Sequence, residues 1–349
     1  MSIAIPATID DVTAEWLAAA TGLAIDSIRI EQIGVGVGVS SAVYRAHLTG
    51  TDVPATVVVK LPALDPAAVF TSTMLRMYLR EVRFFNELAA HAPIRVPAGL
   101  HAAADEATSQ FVAVMEDLGS LRLVDQNVGM TPADADAAVD ALAAWHATWW
   151  GQADRFAESG TTVSLGDPIY PAVLPFVFGE GWEKVSAAMD IPASIQAIGP
   201  RFSDAVPTML SSLVAGPRTL IHGDYRADNI LFDADGSVVL LDFQLIGTGS
   251  ASYDLAYFIT QSLSPADASA NEQRLFARWV DALRAHGVPD ADLEGLWNYY
   301  RTAALFCLVY PVVASRGMDL DDPRQRALVD NMMQRFDRAA SELDLAELL

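Results

Sequence analysis

The sequence predicts an α+β chain of two lobes, with an antiparallel sheet and one helix in the first and a larger, mainly helical arrangement in the second. Three observations carry this. Alternating and β-branched runs crowd the first third, helical apolar spacing dominates from Thr131 onward, and 349 residues exceed what one ordinary hydrophobic core organises. The division is placed at Leu118, so that residues 1–118 form the first lobe and 119–349 the second, with a cleft expected between them.

Residues 9–20 open with aspartates and continue with helical apolar spacing, so a short helix leads. Ile28–Ile33 alternates as a strand does, Gly34, Gly36 and Gly38 interrupt it, and Ala42–Leu48 resumes the alternation. Ala55–Leu61 is a β-branched run that carries Lys60, Leu75–Ala90 has helical spacing, and Phe111–Met115 reads as a strand stopping at Glu116-Asp117-Leu118-Gly119. In the second lobe Pro132 suits a first helical turn, and Ala137–Trp150 forms a long apolar-faced stretch. A single hairpin is expected there, Ile230–Phe232 with Val238–Phe243, joined by Asp233-Ala234-Asp235-Gly236. The apolar run Ala303–Ala314 contains Pro311, is too short to span a bilayer, and reads as a buried helix.

Composition narrows the partners. Hydrophobic residues make up 52% and charged residues 19% of the chain, and the net charge of −22 repels phosphate backbones and anionic lipid surfaces. Nucleic acid and membrane partners are therefore disfavoured. The first lobe holds 7 basic and 13 acidic residues and the second 15 and 31. An acidic second lobe would attract a cationic substrate, but a solubilising acidic surface is the blander and preferred explanation. The N-terminal Met-Ser-Ile-Ala-Ile-Pro lacks a basic region followed by an apolar stretch, so a cytoplasmic location is expected. Cys307 lies inside the apolar run as a buried reduced thiol, and the dispersed histidines lack zinc-ligand spacing.

The strongest chemical signal is His222-Gly223-Asp224-Tyr225-Arg226-Ala227-Asp228-Asn229, just before the hairpin, with Asp242-Phe243-Gln244 at the hairpin's far end. Phosphoryl transfer requires a carboxylate near the attacking hydroxyl and oxygen ligands that hold Mg²⁺ against the phosphates. This spacing supplies such groups, because a hairpin returns Asp242 towards Asn229. Lys60 is the second signal, one of only two lysines in the chain, the other being Lys184. An ammonium on a buried strand is costly unless paired, and a charge that reaches phosphates with a carboxylate behind it meets that need. The run Gly34-Val35-Gly36-Val37-Gly38-Val39-Ser40-Ser41 suits a phosphate cradle of backbone N–H groups and serine hydroxyls, and suits a plain hairpin turn as well. His146, Trp149 and Trp150 read as helix core, and Asp254 as a helix N-cap supporting the metal loop.

His222–Asn229, Leu241-Asp242-Phe243 and the order of elements before them resemble the aminoglycoside phosphotransferase and choline-kinase-like superfamily, with the ecdysteroid-kinase-like branch nearest in look. The resemblance spans almost the whole chain and implies a bilobal protein-kinase-like fold. It implies that Asp224 orients or deprotonates the substrate hydroxyl and that Asn229 and Asp242 bind Mg²⁺. Lys60 then takes the role of the kinase strand lysine, with Glu81 favoured over Glu87 as its partner. An interlobe ion pair of purely structural value is the alternative for that couple. Gly34, Gly36, Gly38, Ser40 and Ser41 would cradle the phosphates of ATP, and Glu116 to Leu118 would be the hinge that meets adenine. The short stretch from Leu245 to Ser252 leaves no room for a long activation segment, so the acceptor implied is a small hydroxylated molecule. A nucleotide-binding pseudokinase with a regulatory or scaffolding role is the alternative, against which the presence of Lys60, Asp224, Asn229 and Asp242 argues.

Overall fold

The computed structural model describes residues 3–34 and 40–349. Gly36 and Gly38 lie outside the described residues. The chain forms two compact units, residues 1–122 with Val239–Ile246, and Leu123–Val238 with Gly247–Leu349.

The first unit is built on five antiparallel strands, β1 (Ala24–Ile33), β2 (Ser41–Thr51), β3 (Thr56–Pro62), β4 (Gly99–Asp105) and β5 (Gln110–Glu116), in the order β1-β2-β3-β5-β4. Alternation sorts β3 onto two faces. Val57, Val59 and Leu61 pack with Leu17, Tyr44, Ala46 and Val114, whereas Val58 joins Tyr78, Val82, Phe111, Ala113 and Met115. Lys60 shares the face of Val58, which is the face the helix Met77–Arg83 covers. The expected leading helix is a 3₁₀ turn, Ile9–Asp11, followed by the helix Ala14–Thr21, which Thr13 caps by accepting from the Trp16 N–H.

The single helix expected over Leu75–Ala90 is instead a succession of short pieces. Pro66–Met74 comes first, with Asp65 as its cap and Pro66 at its first position, a start signal the sequence reading passed over. Arg76 then takes φ of 54°, which breaks the helix before Met77–Arg83, and a π turn over Phe84–Leu88 follows. Strand β4, rich in alanine, was not foreseen either.

The second unit is mainly helical, with Pro132–Thr148, Ile169–Ala188, Gly199–Ala215, Ser252–Ser262, Pro265–Ala285, Leu296–Phe306 and Pro323–Glu342 as its longest members. Thr131 caps the first of these, its hydroxyl accepting from the Asp134 N–H. The expected turn is present: the Asp233 N–H donates to the Ser237 carbonyl, the Gly236 N–H to the Asp233 carbonyl, and Gly236 sits at φ of 85°. A second set of strands, Val163–Ser164, Thr219–Ile221 and Gly247–Gly249, forms a small sheet that segments of two or three residues do not announce in sequence. The run read as one helix over Ala303–Ala314 is two, Leu296–Phe306 and Val309–Ser315. Pro311 explains the break, since its ring would collide with the carbonyl four residues back, at Cys307. No helix of the described residues is long and apolar enough to cross a membrane.

Candidate active site

In the first unit the strand face and the helix face bring three charges together. The Lys60 ammonium donates to Glu81 Oε1 at 2.7 Å and to Asp242 Oδ1 at 3.1 Å, with Lys60 9% and Glu81 1% exposed. Glu81 follows Tyr78 by three positions on its helix, so the packing of Tyr78 against Phe111 delivers Glu81 to the same face. Burial works against the Lys60 ammonium, but Asp242 and Glu81 outweigh it and hold its pKa above the ordinary lysine value. Burial pushes the Glu81 carboxyl up, opposed by Lys60 and reinforced by Asp242. One ammonium facing two carboxylates leaves the cluster with an excess negative charge. Its neighbours are also polar: Gln244 Nε2 donates to Asp242 Oδ2 at 3.1 Å, and Ser40 Oγ donates to Gln244 Oε1 at 2.8 Å.

Asp242 is held in a left-handed conformation, φ 64°, unusual for a side chain other than glycine and costing about 1–3 kcal/mol. Phe243 next to it stacks on Phe84 at 3.5 Å between ring centroids, which pins the segment. Gly34 also occupies the left-handed region, at φ 66°. The Ser40 carbonyl accepts from the Tyr78 hydroxyl at 2.9 Å, and the buried Ser41 hydroxyl has no hydrogen-bond partner among the described residues. At the end of β5 the Glu116 N–H donates to the Ala98 carbonyl at 2.9 Å and its carboxylate accepts from Arg95. Asp117 pairs with Arg45, and Leu118 is buried.

In the second unit the strand Thr219–Ile221 feeds the loop His222–Asn229, which ends in a 3₁₀ turn over Ala227–Asn229. Gly223 takes φ of 83°, so the loop requires glycine there. Asn229 Nδ2 donates to both the Asp224 carbonyl at 2.9 Å and Asp224 Oδ2 at 2.8 Å. The amide thereby turns its N–H bonds to Asp224 and leaves its carbonyl oxygen as the atom suited to a cation. Arg226 Nε donates to Asp224 Oδ1 at 3.1 Å while its Nη1 meets Asp228 and Gln126. Burial tends to raise the Asp224 carboxyl, but Arg226, His222, Tyr257 and Asn229 together hold it below the ordinary carboxylate range.

Asp254 is not an N-cap. It is the third residue of Ser252–Ser262, and its carboxylate accepts from the His222 N–H at 2.7 Å and the Gly223 N–H at 2.9 Å. His146 Nε2 meets the same carboxylate at 3.1 Å, and His146 Nδ1 accepts from the Trp279 indole at 3.3 Å. That network assigns the imidazole proton to Nε2. His146 was read as core packing. It is fully buried, yet it belongs to a chain of hydrogen bonds that ends on the Asp224 loop, and a histidine on a helix gives no sequence cue to a partner 108 positions away.

Taken each within its own unit, Asn229 in the second offers an amide oxygen and Asp242 in the first a carboxylate, both hard donors of the kind Mg²⁺ accepts. Among the described residues no group of three or more His, Cys, Asp or Glu side chains is placed to hold a metal ion by itself.

Several solved structures share the fold. A protein from Ralstonia eutropha JMP134, named as a candidate aminoglycoside phosphotransferase, is 18% identical with a TM-score of 0.59, over 94% of this chain and 97% of that one. The GDP and kanamycin complex of APH(2″)-IIIa is 12% identical with a TM-score of 0.57, over 93% and 97%. Macrolide 2′-phosphotransferase type I is 17% identical with a TM-score of 0.54, over 95% and 99%. No curated protein matches the chain in sequence. The model of the phosphotransferase enzyme family matches residues 31–285, a span that holds Lys60, Glu81, Asp224, Asn229 and Asp242, and the chain belongs to that family.

Proposed function

We propose that the protein transfers the γ-phosphoryl group of ATP, in an Mg²⁺-dependent reaction, to a hydroxyl of a small molecule in the cytoplasm. The observation that carries this reading is Lys60, a buried ammonium held between Glu81 and Asp242 and built to present one fixed positive charge. In it, Lys60 meets the nucleotide phosphates and Glu81 holds Lys60 in place. Gly34, Gly36, Gly38, Ser40 and Ser41 surround the phosphates. At the hinge the Glu116 N–H is committed to the sheet, so adenine recognition falls to the Glu116 carbonyl and the Leu118 N–H. Asn229 and Asp242 are the protein ligands of Mg²⁺, which when bound offsets the charge of the phosphates. Asp224 accepts the proton of the attacking hydroxyl, and its depressed pKa keeps it ionised and ready.

The family and the neighbours named for aminoglycosides and macrolides support a small hydroxylated acceptor. Tyr and Phe side chains on Leu296–Phe306 and Val309–Ser315 favour a bulky, partly apolar alcohol over a bare sugar. ADP release with Mg²⁺, measured over aminoglycosides, macrolides, choline-like amines, steroids and simple alcohols, tests the reading. Turnover should fall at least about a hundredfold in Asp224→Ala, and Asp242→Ala should lose Mg²⁺-supported turnover. Near-full kcat in Asp224→Ala would remove Asp224 from the chemistry, and absence of ATP binding would overturn the reading as a whole.

A further inference from the structure

The loop that carries Asp224 is tied to the body of its unit through Arg226. Arg226 Nε donates to Asp224 Oδ1 at 3.1 Å, while Nη1 donates to Asp228 Oδ2 at 2.6 Å and to the side-chain oxygen of Gln126. Nε has one N–H bond and Nη1 has two, so these acceptors use every proton on that edge of the planar guanidinium. Asp224 and Asp228 belong to the same loop as Arg226, whereas Gln126 lies 100 positions away. Gln126 sits in a turn in which the Asp125 carboxylate accepts from the Asn127 N–H at 2.8 Å and the Asp125 carbonyl accepts from the Val128 and Gly129 N–H groups at 3.0 Å. Arg335, on the helix Pro323–Glu342, fastens that turn, and both Gln126 and Arg335 are 4% exposed. Its Nη2 donates to the main-chain carbonyls of Gln126 and Asn127, and its Nη1 to the Gln261 carbonyl at 2.7 Å. Gln261 is in the last turn of Ser252–Ser262, where the helix dipole favours a cation. The same helix end takes the Asp224 loop, since the Ser262 hydroxyl accepts from the Ala227 N–H at 3.0 Å.

Resting on the functional reading above, we propose that Gln126 is a positioning residue for the transfer step. Its side-chain oxygen sets the plane of the Arg226 guanidinium, and that plane fixes the direction from which Arg226 Nε holds Asp224. Asp228 cannot supply this reference, because it moves with the loop it would have to steady. Gln126 can, because Arg335 holds its main chain against the end of another helix. The guanidinium has only donors, so the amide of Gln126 must turn its oxygen towards Arg226. A neutral acceptor suits the position: it fixes the guanidinium and leaves the charge of Arg226 shared between Asp224 and Asp228.

The test uses Gln126→Leu, Gln126→Glu and Gln126→Leu combined with Arg226→Met, in the full chain, assayed as ADP release from ATP with Mg²⁺ and the best acceptor of the panel above. Every one of these variants keeps the main-chain carbonyl that Arg335 uses, so the turn retains its anchor. Gln126→Leu should lower kcat about tenfold, the usual scale for a hydrogen bond to a charged group, with KM for acceptor and ATP within about twofold. Gln126→Glu should retain more turnover than Gln126→Leu, because it keeps the accepting oxygen. In the Arg226→Met background Gln126→Leu should change nothing further, since its effect passes through the guanidinium. Unchanged kcat, a loss confined to KM, equal losses in the leucine and glutamate variants, or an equal further loss in the Arg226→Met background would overturn the proposal. A crystal structure of Gln126→Leu supplies an arm independent of turnover: the Arg226 guanidinium should leave its single orientation against Asp224, and an unmoved guanidinium would overturn the positioning role. If the wild type releases no ADP with any acceptor, the functional reading falls, and the crystal structure still decides whether Gln126 orients Arg226.

Discussion

The two units hold their acidic residues by opposite means. In the first, Glu81 and Asp242 share the Lys60 ammonium, so the groups that hold one another there carry full charges, with the neutral Gln244 amide added on Asp242. In the second, Asp254 accepts two backbone N–H groups and a histidine N–H, and Asp224 accepts from an amide and a guanidinium. The first arrangement fixes a charge and the second fixes a direction. Damage to the first should register mainly as lost stability together with lost nucleotide handling, and damage to the second as misorientation in a chain that still folds.

The largest contrast comes from Lys60→Met. It leaves two carboxylates facing each other with Glu81 buried, which should lower unfolding free energy by about 3–5 kcal/mol in a urea titration. Adding Glu81→Gln to that variant should recover part of the stability and none of the activity. If Lys60→Met unfolds at the wild-type midpoint, the ionic description of the first unit is wrong. Asp254→Asn comes next. Its amide keeps one acceptor oxygen where two N–H groups and His146 converge, so about 1–3 kcal/mol should be lost. Here kcat should fall further than stability alone explains, since the Asp224 loop loses its anchor, and full kcat in the folded variant would separate Asp254 from the loop's function.

The smallest effect belongs to Cys307. Burial raises its thiol from 9.0 to about 12, so the native chain at pH 8.5 should resist alkylation while the urea-unfolded chain reacts. The folded thiol keeps a proton that the unfolded one releases above pH 9, so this group subtracts stability as pH climbs from 9 towards 12. Rapid labelling of the folded chain would show that the core around Leu296–Phe306 opens readily.

Sequence made some of this legible and hid the rest for definite reasons. Lys60 stood out by rarity, and Glu81 lay on the helix expected after its strand, so their meeting follows from alternation on one element and helical spacing on the other. His222–Asn229 stood out by its spacing of Asp and Asn. His146 and Trp279 gave no such cue, because each looks like ordinary helix core and acquires its partner through packing across many residues. Asp254 was seen as a support for the loop but given the wrong bond: helix starts favour aspartate caps, whereas its carboxylate is used on the backbone of His222 and Gly223. The helix break at Arg76 is a backbone event that helical periodicity does not encode.

Lysine rarity also shapes how the protein behaves towards reagents. Its side-chain amines are Lys60, sunk between carboxylates, and Lys184, whose ammonium donates to the carbonyls of Arg316 and Met318 at 3.2 and 2.6 Å. Amine-directed labelling therefore reports on two side chains at most, and mass spectrometry of the adducts resolves them individually. A nucleotide bearing an acylating phosphate would mark Lys60 alone if its phosphates lie there, and competition by ATP would then read occupancy at a single atom.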